Sequence, residues 1–195
     1  MEILQYGFMR RALLVGILLA LIIPCIGVIV VLKRLSMIGD ALSHVSLAGV
    51  TAGLIIGINP IVGSVIACII AALSVETIRK KIPQYAEISI AIIMSTGIGL
   101  AGILSSFVKG STNLNSFLFG SIVAVSTFEV WLVIVISAIV LLTFLLLYKE
   151  LFFITFDERA ARLAGVPVNI INLIFTLMTA VTISIAARTV GTLVV

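Results

Sequence analysis

The chain has 195 residues, 62% of them hydrophobic and 10% charged, with a mean hydropathy of +1.39. Soluble domains run at about 45–50% apolar and about 25% charged residues, so a water-soluble globule is excluded and membrane lipid is the solvent for most of the chain. A net charge of +4 does not point to nucleic acid, because the basic residues sit in short clusters between apolar runs without interleaved aromatics.

In chain order, "MEILQYGFMRR" is expected to lie along the membrane surface as a short amphipathic segment. It does not read as a cleavable signal, since no small-residue cleavage pattern follows the apolar run after it. A spanning helix needs about 20 mostly apolar residues. Six runs meet that requirement: 12–32, 38–57, 60–78, 88–108, 127–147 and 168–188. Backbone groups in lipid must be satisfied within their own segment, which predicts helices, and the alternation of a membrane barrel is absent. The predicted fold is therefore an all-α polytopic bundle. Residues 189–195, "TVGTLVV", read as the start of a further apolar segment. The expectation is one transmembrane domain over 1–195 that is incomplete at its C-terminus.

Orientation follows from the basic residues. With the loop after the fifth span inside, eight of the twelve Lys and Arg are cytoplasmic: Lys33, Arg34, Arg79, Lys80, Lys81, Lys149, Arg159 and Arg162. Arg10, Arg11, Lys109 and Arg188 are then outside, as is the N-terminus. Phe128 and Trp131 mark the outer interface of the fifth span and Tyr148 the inner one.

The acids sort against this frame. Seven lie at or near span ends, and Glu76, with Arg79 and Lys80 three and four residues on, reads as a weak surface ion pair. Only Asp40 lies within a span, and the single histidine, His44, is one helical turn along the same face. An ionised carboxylate in the bilayer costs at least about 2.5 kcal/mol, so the residue demands a functional account. The bland alternatives are a headgroup-level acid or a helix cap, with His44 bonded to a carbonyl. Together, a carboxylate and an imidazole at i, i+4 form a two-ligand clip for a divalent cation or a proton relay. Ser43, beside the pair, and Cys25, a soft ligand in the first span, are further candidate metal contacts. The simpler reading of Cys25 and Cys68 is two small buried hydrophobes.

Gly49, Gly53 and Gly57 form a G-x-x-x-G-x-x-x-G ridge that admits a neighbouring helix, and Ser95, Gly99, Gly102 and Ser106 repeat the habit in the fourth span. An intramembrane aspartyl protease needs a second carboxylate, and no other span carries an acid. No serine stands in a setting diagnostic of a hydrolase. The chain therefore reads as a non-enzyme. Between the fifth and sixth spans, "FDERAARLAGVPVN" (156–169) reads as a short cytoplasmic helix ended by Gly165 and Pro167, a handle for a soluble partner or an ordinary interfacial loop.

Three stretches carry a resemblance in order: "MIGDALSHVSLAGV" (37–50), "LNSFLFGSIVAVS" (114–126) and "FDERAARLAGVP" (156–167), followed by "VGTLVV". The chain resembles the membrane permeases of metal-type ABC transporters, which import zinc, manganese or iron. The resemblance implies that Asp40 and His44 contact the metal. It implies that Asp157, Glu158, Arg159, Ala160, Ala161 and Gly165 belong to the segment that docks on the ATPase, with Ala160, Ala161 and Gly165 matching its Ala-Ala-x-x-x-Gly core. Arg159 stands where the general importer motif has Glu. The implied partners are a cytoplasmic ATP-binding subunit, an extracellular metal-binding lipoprotein and a second copy of the chain, in a bacterial plasma membrane. No cofactor is implied beyond the transported Zn2+ or Mn2+, with zinc preferred. A proton-coupled secondary transporter using Asp40 and His44 as its relay, and a membrane assembly subunit that transports nothing, remain alternatives.

Overall fold

The structure, a computed structural model, describes residues 7–108 and 127–190. The loop motif at 114–126 lies outside the described residues, as do residues 1–6 and 191–195. The helices are α1 (Gly7–Leu32), α2 (Ile38–Ile56), α3 (Pro60–Lys81), α4 (Ala86–Ser105), α5 (Thr127–Leu146), α6 (Tyr148–Phe156), α7 (Glu158–Leu163) and α8 (Val168–Val190). A single 3-10 turn at Pro83–Tyr85 leads into α4.

Local chemistry sets most of these boundaries. Gly57 ends α2 in the left-handed region at φ 80°, where a side chain would be strained, and its N–H donates to the Gly53 carbonyl. Two residues later Asn59 caps α3: its Oδ1 accepts the Ile61 N–H at 3.0 Å, and Pro60 occupies the first helical position, where it lacks no useful donor. Arg79, Lys80 and Lys81 fill the last turn of α3, the favourable end of its dipole for positive charge. Residues 7–11, expected to lie on the surface, instead form the first turns of α1. Among the described residues five helices are individually long and apolar enough to cross a membrane. α5 and α6 meet the same requirement only together, bent by 64° between them, as a broken span or a re-entrant loop. Phe144, Tyr148, Phe152 and Phe156 stack at every fourth position across the bend, with successive ring centroids 5.9, 4.7 and 6.3 Å apart.

α2 is the centre of the bundle, packed on α3, α4 and α8, while α1 packs on α5. The α2–α3 crossing is backbone against backbone. A Cβ on Gly49 would meet the Gly63 carbonyl oxygen at 2.6 Å, and one on Gly63 would meet the Gly49 oxygen at 2.5 Å. Lipid supplies no hydrophobic drive between helices, so such close approach and polar pairing replace it. The polar part is a serine chain: Ser46 Oγ lies 2.8 Å from Ser64 Oγ, which lies 2.6 Å from Ser184 Oγ, all three buried. It ties α2, α3 and α8 together.

Two expectations need correction. In the glycine ridge only Gly49 and Gly53 face α3, because Gly57 serves as the helix cap. On α4 the packing glycine is Gly97, where a Cβ would meet Val45 Cγ2 at 2.9 Å; Gly99 and Gly102 face open space. Glu76 is not a surface acid either. It is 4% exposed, receives Arg79 Nε and Nη2 at 2.9 and 3.1 Å, and has Lys80 Nζ at 3.7 Å.

Candidate metal site and coupling segment

Asp40 and His44 rise from the first two turns of α2, with His44 Nε2 3.4 Å from Asp40 Oδ1. The pair lies on the strip of α2 that its neighbours leave open. The side chains are 56% and 26% exposed, whereas Ala41, Leu42, Val45 and Ser46 between and after them are buried. Half-buried Leu47 continues the strip at helical spacing, and it closes at Thr51, which is fully buried.

The neighbouring helices show how far the pair is set back from their own ends. Leu42, two residues after Asp40, offers its carbonyl to Cys68 Sγ at 3.4 Å. Cys68 stands 8 residues before Glu76 on α3, about 12 Å along the axis at 1.5 Å per residue. Val45, next to His44, crosses α4 at Gly97, 11 residues past Ala86 and so about 16 Å along that helix. Asp40 lies two and five residues before these contacts, so this first-turn acid stands about 9 Å inside Glu76 on α3 and inside Ala86 on α4, where the helix N-terminus favours its negative charge. His44 opens onto a cleft of about 190 Å3 between α2 and α4, lined also by Leu47, Thr51, Ile98, Ala101, Gly102 and Ser105.

The other candidate ligands are placed differently. Ser43 is fully buried, and its Oγ donates to the Gly39 carbonyl at 2.9 Å. Cys25 Sγ is bonded to the Leu21 carbonyl of its own helix at 3.2 Å. Among the described residues no three His, Cys, Asp or Glu side chains gather in one place. One copy of the chain thus offers a two-ligand clip, borderline in softness and suited to zinc or manganese alike.

The segment 156–169 forms α7 and the turn into α8. Asp157, extended at φ −148°, caps α7 by accepting the Ala160 N–H at 2.9 Å. Glu158 and Arg162 pair at 2.7 Å on the exposed face, and Arg159 is exposed. Ala161 is fully buried and anchors the short helix to the bundle. Gly165, at φ 83°, closes it: the Val166 N–H reaches back to the Ala161 carbonyl at 3.0 Å, a geometry that any side chain at 165 would strain. Leu163, 91% exposed, and Phe156, 74% exposed, stand on the outer surface of the segment and were not anticipated from its sequence. Exposed apolar residues flanking a charged turn were the available signal.

Sequence reasoning also treated Lys33 as one topological charge among eight. In the structure its Nζ donates to Asn172 Oδ1 at 2.6 Å and stands 4.7 Å from the centroid of the Phe175 ring. Burial, aided by repulsion from Arg79, pushes the Lys33 amine down to about 8. The two asparagines at the start of the last apolar span, Asn169 and Asn172, were the hint in the sequence.

The chain matches the profile of the ABC 3 transport family over residues 5–195. It is 35% identical over 191 residues to a "probable metal transport system membrane protein" of Treponema pallidum, covering 98% of this chain and 72% of the relative. It is 34% identical over 194 residues to the "manganese transport system membrane protein MntC" of Listeria innocua, covering 99% and 69%. Among solved structures, one described as PsaBC from Streptococcus pneumoniae in complex with Fab contains a chain that superposes with a TM-score of 0.84 at 28% identity, over 99% of this chain and 70% of that one. A match along nearly the whole length, on the same helical architecture, places the chain in the ABC 3 transport family.

Proposed function

We propose that the chain is the permease through which an ATP-driven importer moves a divalent transition metal into the cell, with Asp40 and His44 as the metal contacts. The observation that carries this reading is the open strip of α2. In a helix otherwise locked on three sides, the acid and the histidine face each other at 3.4 Å, on an exposed strip nearly two turns inside the ends of the neighbouring helices. Charge so placed requires water, an ion or another protein surface. A second copy apposed to this strip would double the ligand set to two carboxylates and two imidazoles around a central path. Those ligands replace part of the hydration shell, so the ion is committed without being trapped.

Manganese is preferred over zinc, reversing the choice made from the sequence. The ligands suit both ions, but the relatives in Listeria innocua and Streptococcus parasanguinis are named for manganese. A cytoplasmic ATP-binding subunit docks on α7 and its flanks, with Asp157, Glu158, Arg159, Ala160, Ala161 and Gly165 setting the shape of the segment. An extracellular lipoprotein delivers the ion. The basic end of α3 and the α7 segment face the cytoplasm, and the N-terminus is outside. The family favours this ATP-driven reading over the proton-coupled one.

The test is uptake into vesicles holding the permease, its ATP-binding subunit and its delivery protein, with manganese and zinc offered separately. Asp40→Asn and His44→Gln should each abolish ATP-dependent uptake while remaining assembled, with manganese the faster ion in wild type. Unimpaired uptake in both variants would remove the pair from the path.

A further inference from the structure

The first turn of α8 binds two other elements through two asparagines. Asn169 Oδ1 receives Arg162 Nη2 of α7 at 3.4 Å. One turn on, the buried Asn172 receives Lys33 from the end of α1 at 2.6 Å, with the Phe175 ring beneath the amine. Glu158 of α7 and Glu76 of α3 also favour the Lys33 charge, and Arg79 opposes it.

Beyond Lys33 the chain turns tightly into α2. Arg34 takes the left-handed conformation at φ 58°, which an arginine adopts only when its surroundings impose it, and the Leu35 N–H reaches back to the Val30 carbonyl at 2.9 Å. Leu35 and Ile38 are buried, so the turn moves with the start of α2. Seven residues separate Lys33 from Asp40.

Further along α8, packing against this turn is loose. A cavity of about 210 Å3 separates Ser36, Ile38 and Gly39 from Thr179, Thr182 and Ala186. The buried Thr182 Oγ1 has no hydrogen-bond partner among the described residues. At this level α8 reaches α2 through Ser184, Ser64 and Ser46, one turn and more past Asp40, whereas the Lys33 contact is short, directional and next to the turn itself.

We propose that the Lys33–Asn172 contact carries movement of the α7–α8 segment to the Asp40/His44 pair, with Lys33 as a positioning residue. The proposal rests on the reading of that pair as the metal site and of α7 as the docking segment. When the ATP-binding subunits draw α7 along, Asn172 pulls the Lys33 amine. The strained turn at Arg34 then re-aims the first turn of α2. Lys33 itself touches no metal, so its loss uncouples rather than unbinds.

The test uses the complete permease with its ATP-binding subunit and delivery protein in vesicles, comparing wild type, Lys33→Met, Asn172→Leu, the double variant, Lys33→Arg and Asp40→Asn. The readouts are manganese moved per ATP hydrolysed and manganese bound without nucleotide. Lys33→Met and Asn172→Leu should each lower the transport ratio between about threefold and about thirtyfold, the range expected of residues that link two sites. Binding without nucleotide should stay at the wild-type level. The double variant should be no worse than either single one, as for two ends of one contact, and Lys33→Arg should recover part of the ratio. An unchanged ratio in assembled Lys33→Met would overturn the proposal. If Lys33→Met fails to assemble, Asn172→Leu decides from the α8 side, and an unchanged ratio there overturns it equally. If Asp40→Asn transports normally, the reading of the metal pair fails instead, and a ratio that still falls in Lys33→Met separates the two failures.

Discussion

The two faces of α2 are built on opposite terms. Toward α3 and α8 the helix is fastened by a backbone contact at Gly49 and Gly63 and by the Ser46–Ser64–Ser184 chain, with almost nothing exposed. Along its open strip it presents Asp40, His44 and Leu47 beside a cleft whose far wall is α4. The lesson is one of division of labour along a single helix. Small residues and hydroxyls fix where the helix stands, and that fixed side holds an ionisable pair at a depth where it would otherwise be expelled.

The contrast can be broken from the packed side with the largest effect. Gly49→Leu drives a Cβ into the Gly63 carbonyl and Ser64 Cα, so α3 cannot dock. A loss of more than about 4 kcal/mol is expected, seen as absence of folded permease after detergent extraction. Arg79→Ala comes next, because it leaves the Glu76 carboxylate buried with only Lys80 nearby. A loss of about 3 kcal/mol should appear as a lowered thermal midpoint in detergent, and Glu76→Gln combined with Arg79→Ala should restore much of it. The open face should give the smallest change in stability. Asp40→Asn and His44→Gln should unfold within about 0.5 kcal/mol of wild type by the same measurement. A large destabilisation there would show that the strip is structural, and the contrast between the two faces would collapse.

Much of this was legible in the sequence for identifiable reasons. Runs of apolar residues as long as the bilayer is thick admit only helices, so the spans at 38–57 and 60–78 were met by α2 and α3 almost to the residue, with Gly57 and Asn59-Pro60 as punctuation. Asp40 and His44 stood out because charge in such a run is costly. What misled was treating small or charged residues by spacing alone. Gly99 and Gly102 are small like Gly49 and Gly53 yet face open space, because no neighbouring backbone approaches them closely. Glu76 lay at a span end, where acids are usually solvated, but α3 turns it inward onto Arg79.

The sequence by itself determined the solvent, the number and limits of the spans, and which two ionisable residues had to be explained. These follow from transfer energies and helix geometry, which act locally. Only the tertiary structure decided which face each helix presents to another. It set the first turn of α2 inside the ends of α3 and α4, and it joined Lys33 to Asn172 across 139 positions of chain. Such pairings depend on the close approach of helices distant in sequence, and no local pattern encodes them.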